Sequence, residues 1–263
     1  MFKQRSEYSK RSWSQNCIKS CVWEAISSKL NSILPPNDKY STNIGERYSP
    51  LYYQPTSRLD NSDQTTGRHL QRVLYYSMTP CRNLTGLRRT ECALHDVDCD
   101  EVYPGIYIGD VAAAKNKSFL RMMGITHVLN AAEGCRYGQV DTGHSYYRDM
   151  PSIRRNNKDT IFRYMGFPMV DAPTTDISRY FYVAAKFIDS AISSGGKILV
   201  HCLVGMSRSA TCVLAYLMIC RKMTASDAIR KVRMRREIRP NEGFLQQLAD
   251  LDMELKRNKN YQY

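Results

Sequence analysis

The stretch that decides the fold is Lys197-Ile198-Leu199-Val200-His201-Cys202-Leu203-Val204-Gly205-Met206-Ser207-Arg208-Ser209. Ile198 to Val200 is a short aliphatic, β-branched run that reads as a buried strand. It leads straight into His201-Cys202. Five residues including Gly205 follow, and then Arg208-Ser209 opens an apolar run from Ser207 to Cys220 that reads as a helix. A strand, a tight loop and a helix in that order build an anion site. Successive backbone N–H groups of the loop can converge on one point, and the helix N-terminus adds its unpaired N–H groups and partial positive charge. Gly205 permits backbone geometry that a side chain hinders. Arg208 brings a planar fork that matches two phosphate oxygens. The ligand suited to this cradle is a phosphoryl group.

The same cradle acts on Cys202. Thiols beside cations and helix N-termini ionise more easily, and the thiolate is the nucleophile. A thiolate beneath a bound phosphate attacks phosphorus and gives a phosphocysteine. The loop donors Leu203, Val204, Gly205, Met206 and Ser207 then bind the equatorial oxygens. Ser209 or Ser207 can donate to the sulfur and help it leave. No metal or other cofactor is required. The bland alternative is a packed core thiol, the role expected of Cys212 and Cys220 within the apolar helix.

Working outward, Asp176 to Ser193 reads as a helix, with Ile177, Phe181, Ala184, Phe187, Ile188 and Ile192 on one face and Gly195-Gly196 stopping it. Phe162 to Val170 reads as a strand. Asp171 follows it, ahead of Ala172-Pro173-Thr174-Thr175, and is the candidate acid for the leaving oxygen. Asp176 is the rival and is read as a helix N-cap. Upstream, Gly105 to Gly109 and Ile125 to Asn130 read as strands, with a helix over Ala112 to Met123 ended by Gly124. Downstream, Ser226 to Arg236 and Glu242 to Leu255 read as amphipathic helices. Strands alternating with helices imply an α/β domain with a central, largely parallel sheet flanked by helices.

The chain has 263 residues, nine of them Cys, with a formal net charge of +13. Residues 1–90 carry 14 Lys+Arg against 6 Asp+Glu and are rich in Ser, Tyr, Asn, Arg and Gln. They read as a basic, mostly disordered or loosely packed extension, with one amphipathic helix at Val22 to Leu34. Residues 91–258 are the catalytic domain and 259–263 a tail. Ser49-Pro50 and Thr79-Pro80 are dipeptides of the proline-directed phosphorylation type and also common by chance. The basic balance permits acidic partners, but no nucleic-acid signature accompanies it, and none is expected to bind. No apolar run is long enough to span a bilayer and no signal peptide is legible. The odd cysteine count shows no metal spacing, so the thiols are expected to be reduced and the location cytoplasmic or also nuclear.

From about Cys99 to Arg257 the chain resembles the dual-specificity protein tyrosine phosphatases, above all small atypical members such as the vaccinia-H1-related phosphatase. The residues that carry the likeness are Pro104-Gly105-Ile106-Tyr107-Ile108-Gly109, Gly124 to Gly134, His201-Cys202 to Arg208-Ser209-Ala210, Ala215 to Met218, and Arg236 to Leu245. The resemblance implies a shallow pocket for phosphotyrosine and for phosphoserine or phosphothreonine. It implies Cys202 as nucleophile, Arg208 as phosphate binder, Asp171 as general acid and Ser209 as helper in phosphoenzyme breakdown. His201 and Asn241 are implied to steady the phosphate loop, although Asn241 also reads as the N-cap before Glu242. Arg236, with Arg235 and Arg239, is implied to bind a second phosphate, and each also reads as a solvated helix end. The chain departs from that relative in the apolar Leu203, Val204 and Met206, in Ala210, and in a long polar segment between Met150 and Ile161. Phosphorylated proteins, mitogen-activated protein kinases among them, are the expected substrates. A phosphoinositide or RNA phosphatase and a phosphoprotein-binding scaffold with little turnover are the alternatives. The oligomeric state is not legible.

Overall fold

The computed structural model describes residues 65–77, 79, 97–150, 153–155 and 158–260, all within one compact unit, Leu59–Tyr263. The expected helix at 22–34, Ser49-Pro50, Pro80, the cysteines up to Cys92 and the last three residues lie outside the described residues.

Seven strands and seven α-helices are described. In chain order they are α1 (Gly67–Tyr76), β1 (Cys99–Tyr103), β2 (Ile106–Gly109), α2 (Val111–Lys115), α3 (Lys117–Met123), β3 (His127–Asn130), β4 (Ile153–Arg155), β5 (Lys158–Thr160), β6 (Arg163–Gly166), α4 (Phe181–Ser193), β7 (Ile198–His201), α5 (Arg208–Arg221), α6 (Ala225–Arg233) and α7 (Glu242–Asn260). Two 3-10 turns, His144–Tyr147 and Ser178–Tyr180, complete the set.

The main sheet has the order β1-β2-β7-β3-β6. Only β1 runs antiparallel to its neighbour; the other three pairings are parallel. The expected α/β architecture is therefore present, with β7 at the centre. Val200 pairs with Ile108 on one side and Leu129 on the other. Both sheet faces are covered, which is why these strands read as unbroken apolar runs. Ile106, Ile108, Leu129, Ile198 and Val200 join a core with Phe181, Ile188, Val213 and Phe244. Tyr107, Val128 and Leu199 point to the other face and pack with Phe119, Leu120, Ile125 and Tyr147.

Helix α5 is buried without interruption from Arg208 to Met218, so it has no polar face to reveal a helical period. It sits under the sheet with its N-terminus at the C-terminal end of β7, and this geometry places the site.

Several sequence expectations shift. The helix expected over 112–123 is two, because Asn116 interrupts it and accepts from the Phe119 amide to cap the second. The strand expected to reach Val170 ends at Gly166, leaving 167–177 as loop and turn. The last helix runs on to Asn260. The polar 150–161 segment carries a separate two-stranded hairpin, β4–β5. Strand β1 went unread because Asp100 and Glu101 break any apolar alternation on this edge.

The largest correction concerns residues 67–76, expected to be loosely packed. They form α1, with Thr66 as N-cap accepting from the His69 amide. Leu70 is fully buried in the main core. The Gly67 amide donates to Gln246 Oε1, the Thr65 hydroxyl donates to Asp252, and Arg233 donates to the Ser77 carbonyl. The partners all lie on α6 or α7, far along the chain, so the local composition could not announce them.

Candidate active site

The loop from Cys202 to Ser207 joins β7 to α5. Its carbonyls are held from outside, one after another. The Cys202 carbonyl accepts from His201 Nδ1 at 3.4 Å, and the Leu203 carbonyl from the Val111 amide at 3.1 Å. Arg236 donates to the next two, through Nη2 to Val204 at 3.3 Å and through Nε to Gly205 at 2.8 Å. The Met206 carbonyl accepts from the Arg239 amide at 2.8 Å. The Ser207 carbonyl accepts from both the amide and the hydroxyl of Thr211, each at 2.9 Å. Six consecutive carbonyls tied outward leave the amides of the same peptides for the concave side, the arrangement that binds oxyanions. Gly205 sits at φ +75°, and a Cβ there would lie 2.5 Å from the Gly109 carbonyl, so only glycine fits.

Cys202 is 1% exposed. Its Sγ accepts from the Gly205 amide at 3.2 Å and lies 3.3 Å from Ser209 Oγ. Burial pushes this thiol up, but the Arg208 charge and the bonds from Ser209 and Gly205 outweigh it, and the net shift is downward. Cys212, one helical stretch further on, shows the contrast: burial, with the neighbouring Cys202 charge adding to it, pushes it up to about 12. Burial likewise holds His201 neutral, its value lowered to about 4. A neutral imidazole donating from Nδ1 suits its place behind the loop.

Arg208 is buried and aims its fork into the site. Its Nη1 donates to the carbonyls of Gly138, at 2.8 Å, and Met169, at 3.0 Å. Its Nε lies 3.6 Å from Asp171 Oδ2. Asp171 itself arrives from the loop after β6. Its Oδ1 accepts from the Ser207 hydroxyl at 2.8 Å and from Asn241 Nδ2 at 2.9 Å. Its side chain keeps 34% exposure, so it borders solvent at the mouth of the loop. Asp176 is elsewhere, accepting from the Ser178 hydroxyl.

The family description "Dual specificity phosphatase, catalytic domain" matches residues 106–254. The chain belongs to the dual-specificity phosphatase family. Human dual specificity protein phosphatase 26 is 43% identical over 189 residues, 72% of this chain and 76% of the relative. Human dual specificity protein phosphatase 13B is 48% identical over 159 residues, 60% of this chain and 74% of the relative. A single-substitution variant of human DUSP28 matches in structure with a TM-score of 0.50 at 24% identity, over 61% of this chain and 98% of that one, a likeness of fold. The chain is thus a protein phosphatase of the dual-specificity family.

Against that family pattern, Cys202, Arg208, Ser209, Ser207 and Asp171 come together as the sequence predicts. Two assignments change. Arg236 is not on the substrate side. It is 2% exposed; its Nη1 is paired with Asp98 at 3.0 Å and Asp100 at 2.7 Å, its Nη2 donates to Asp98 at 3.1 Å and to the Val204 carbonyl, and its Nε to the Gly205 carbonyl. A guanidinium saturated in this way has no donor to offer a second phosphate. Arg235 is exposed, and Arg239 pairs with Glu237. Asn241 is linked to the phosphate loop through Asp171, whose Oδ1 also accepts from Ser207. Its Nδ2 holds Asp171 and its Oδ1 accepts from the Phe244 amide, so the N-cap reading is correct and the loop it steadies is the acid's. Of the apolar loop residues, Leu203 and Met206 are half-buried and Val204 is exposed. The roles of Val111, Thr211, Asp98, Asp100, Gly138 and Met169 were missed. They act mainly through backbone groups or as distant counter-charges, and no local motif marks them.

Proposed function

We propose that this phosphatase hydrolyses phosphotyrosine and phosphoserine or phosphothreonine in proteins through a phosphocysteine at Cys202. The observation that carries the reading is the buried Cys202 thiol, drawn down in pKa, beneath a loop whose six carbonyls are tied outward. In the first step Cys202 Sγ attacks phosphorus, the bond from phosphorus to the substrate oxygen breaks, and Asp171 gives that oxygen its proton. The loop amides and Arg208 hold the equatorial oxygens as charge develops on them. In the second step water attacks phosphorus and loses a proton to Asp171. The bond to sulfur breaks, and Ser209 donates to the departing thiolate.

A scaffold that only binds phosphoproteins has no use for a thiol drawn down in pKa or for an acid braced by Ser207 and Asn241. Phosphoproteins rather than phosphoinositides or RNA are favoured by the 43% and 48% identity to named protein phosphatases. Signalling kinases, including mitogen-activated protein kinases, are the first candidates among them.

The test uses purified protein with an aryl phosphate and with tyrosine- and threonine-phosphorylated peptides. All should be dephosphorylated, and Cys202→Ser should abolish turnover. Retained turnover in that variant refutes the mechanism. A pull-down with Asp171→Ala then captures the natural substrate and separates protein from lipid and RNA.

A further inference from the structure

Resting on that reading, we propose that Gln247 is a positioning residue for the general acid: its side-chain amide staples the loop bearing Asp171 to α7. Gln247 Oε1 accepts from the amides of both Ile177 and Ser178 at 2.9 Å, and its Nε2 donates to the Thr175 carbonyl at 2.9 Å. The Ser178 amide also lies within reach of the loop's own Asp176 carboxylate, so the Ile177 amide is the group that depends most on Gln247. The Ile177 and Ser178 amides stand at the start of the 3-10 turn, where no preceding helical carbonyl exists to receive them. Ile177 is fully buried, so its amide has little access to water as a substitute.

The loop is otherwise two separate turns. One closes through the Ala172 and Thr175 amides, which donate to Val170 and Ala172, and the other through Tyr180 to Ile177. Gln247 is the side chain that grips both. Two further contacts come from the same end of α7. Asn241 holds the Asp171 carboxylate, and Gly243 lies so close under the loop that a Cβ would sit 1.9 Å from the Pro173 carbonyl. The acid is therefore fixed at 171, 173, 175 and 177–178 by the first two turns of one rigid helix. Gln247 itself touches neither Asp171 nor the phosphate loop, so it acts on catalysis only by setting where the carboxyl stands.

That role predicts a dependence on the leaving group. Protonation matters for phenol, a poor leaving group, and little for 4-nitrophenol, a good one. Gln247→Leu removes all three bonds at nearly constant volume. It should lower kcat/KM for phenyl phosphate about tenfold, part of the 10²–10⁴ that general acid catalysis contributes, and leave 4-nitrophenyl phosphate within about threefold. Gln247→Glu keeps both acceptances but sets a carboxylate oxygen against the Thr175 carbonyl where the amide donated, so it should show the same selectivity. In an Asp171→Asn background, Gln247→Leu should cost nothing further. Equal losses on the two substrates, an undiminished loss in the Asp171→Asn background, or no loss at all overturns the proposal. If Gln247→Leu does not fold, the selectivity of Gln247→Glu decides. Should Asp171→Asn itself cost both substrates equally, the assignment of the acid falls instead, and the two failures are told apart.

Discussion

Arg236 Nε lies 2.8 Å from the Gly205 carbonyl, and the same guanidinium is paired with both Asp98 and Asp100. The phosphate loop is thereby tied to the strand at the far edge of the sheet, through a residue that faces away from substrate. Asp98 precedes β1 and its carbonyl also accepts from the Asp110 amide. One half-buried ion pair network thus joins the loop, the β1 edge and the turn after β2.

Arg236→Met should lower kcat/KM on a small singly phosphorylated substrate at least tenfold, because two loop peptides lose what orients them. The loss should be no greater on a doubly phosphorylated peptide, which separates loop support from a second phosphate site. Stability should fall by less than the roughly 3–5 kcal/mol lost when a fully buried pair is broken, because Asp98 and Asp100 keep 23% and 19% exposure. Urea denaturation alongside kinetics with the two substrates measures both.

Ser209→Ala should move the ionisation of Cys202 upward. The sign follows from the geometry: the hydroxyl, 3.3 Å from Sγ, favours the thiolate, so its loss favours the thiol. The pH midpoint of iodoacetamide alkylation reads this directly. The same variant should accumulate phosphoenzyme, seen as a burst of aryl alcohol in rapid-quench experiments. An unchanged midpoint and no burst remove Ser209 from the mechanism.

Stability should decline on the acid side below about pH 6.5. Burial lowers both His127 and His201 from 6.5 to about 4. Unfolded, each takes up a proton near 6.5; folded, each resists until pH falls near 4. The unfolded state therefore binds more protons in that window, and stability drops as pH falls through it, by at most roughly 1.4 kcal/mol per pH unit for each histidine. Denaturation midpoints between pH 7 and 4.5 test this, and His127→Gln should remove about half of the slope.

Leu70→Ala in α1 should destabilise the catalytic unit by about 2–5 kcal/mol, as for any fully buried leucine. A variant with wild-type stability would show that α1 is dispensable to the fold. Thermal melts of the full chain give the answer.

Much of the site was legible because its chemistry is local. The run from Ile198 to Ser209 contains a strand, a glycine that must take positive φ, a nucleophile, and an arginine at the start of a helix. The alternation of strand-like and helix-like runs around it implied an α/β sheet. Where the reading erred, the deciding contacts were distant in sequence. Arg236 looks like an exposed basic residue among Arg233, Arg235 and Arg239 until Asp98 and Asp100 are brought against it across 138 and 136 positions. Residues 67–76 look like polar extension until α7 and α6 receive Leu70.

The make-up of the reaction centre is local: Cys202, Gly205, Arg208 and Ser209 lie within one loop and one helical turn, so their proximity follows from chain connectivity. The tertiary structure alone decided how that centre is held. It set Arg236 behind the loop rather than before it, turned Asn241 toward Asp171, and brought Gln247 to the acid loop over 70 residues. Such assignments depend on which buried donor meets which unpaired acceptor, and that is settled only when the whole core closes.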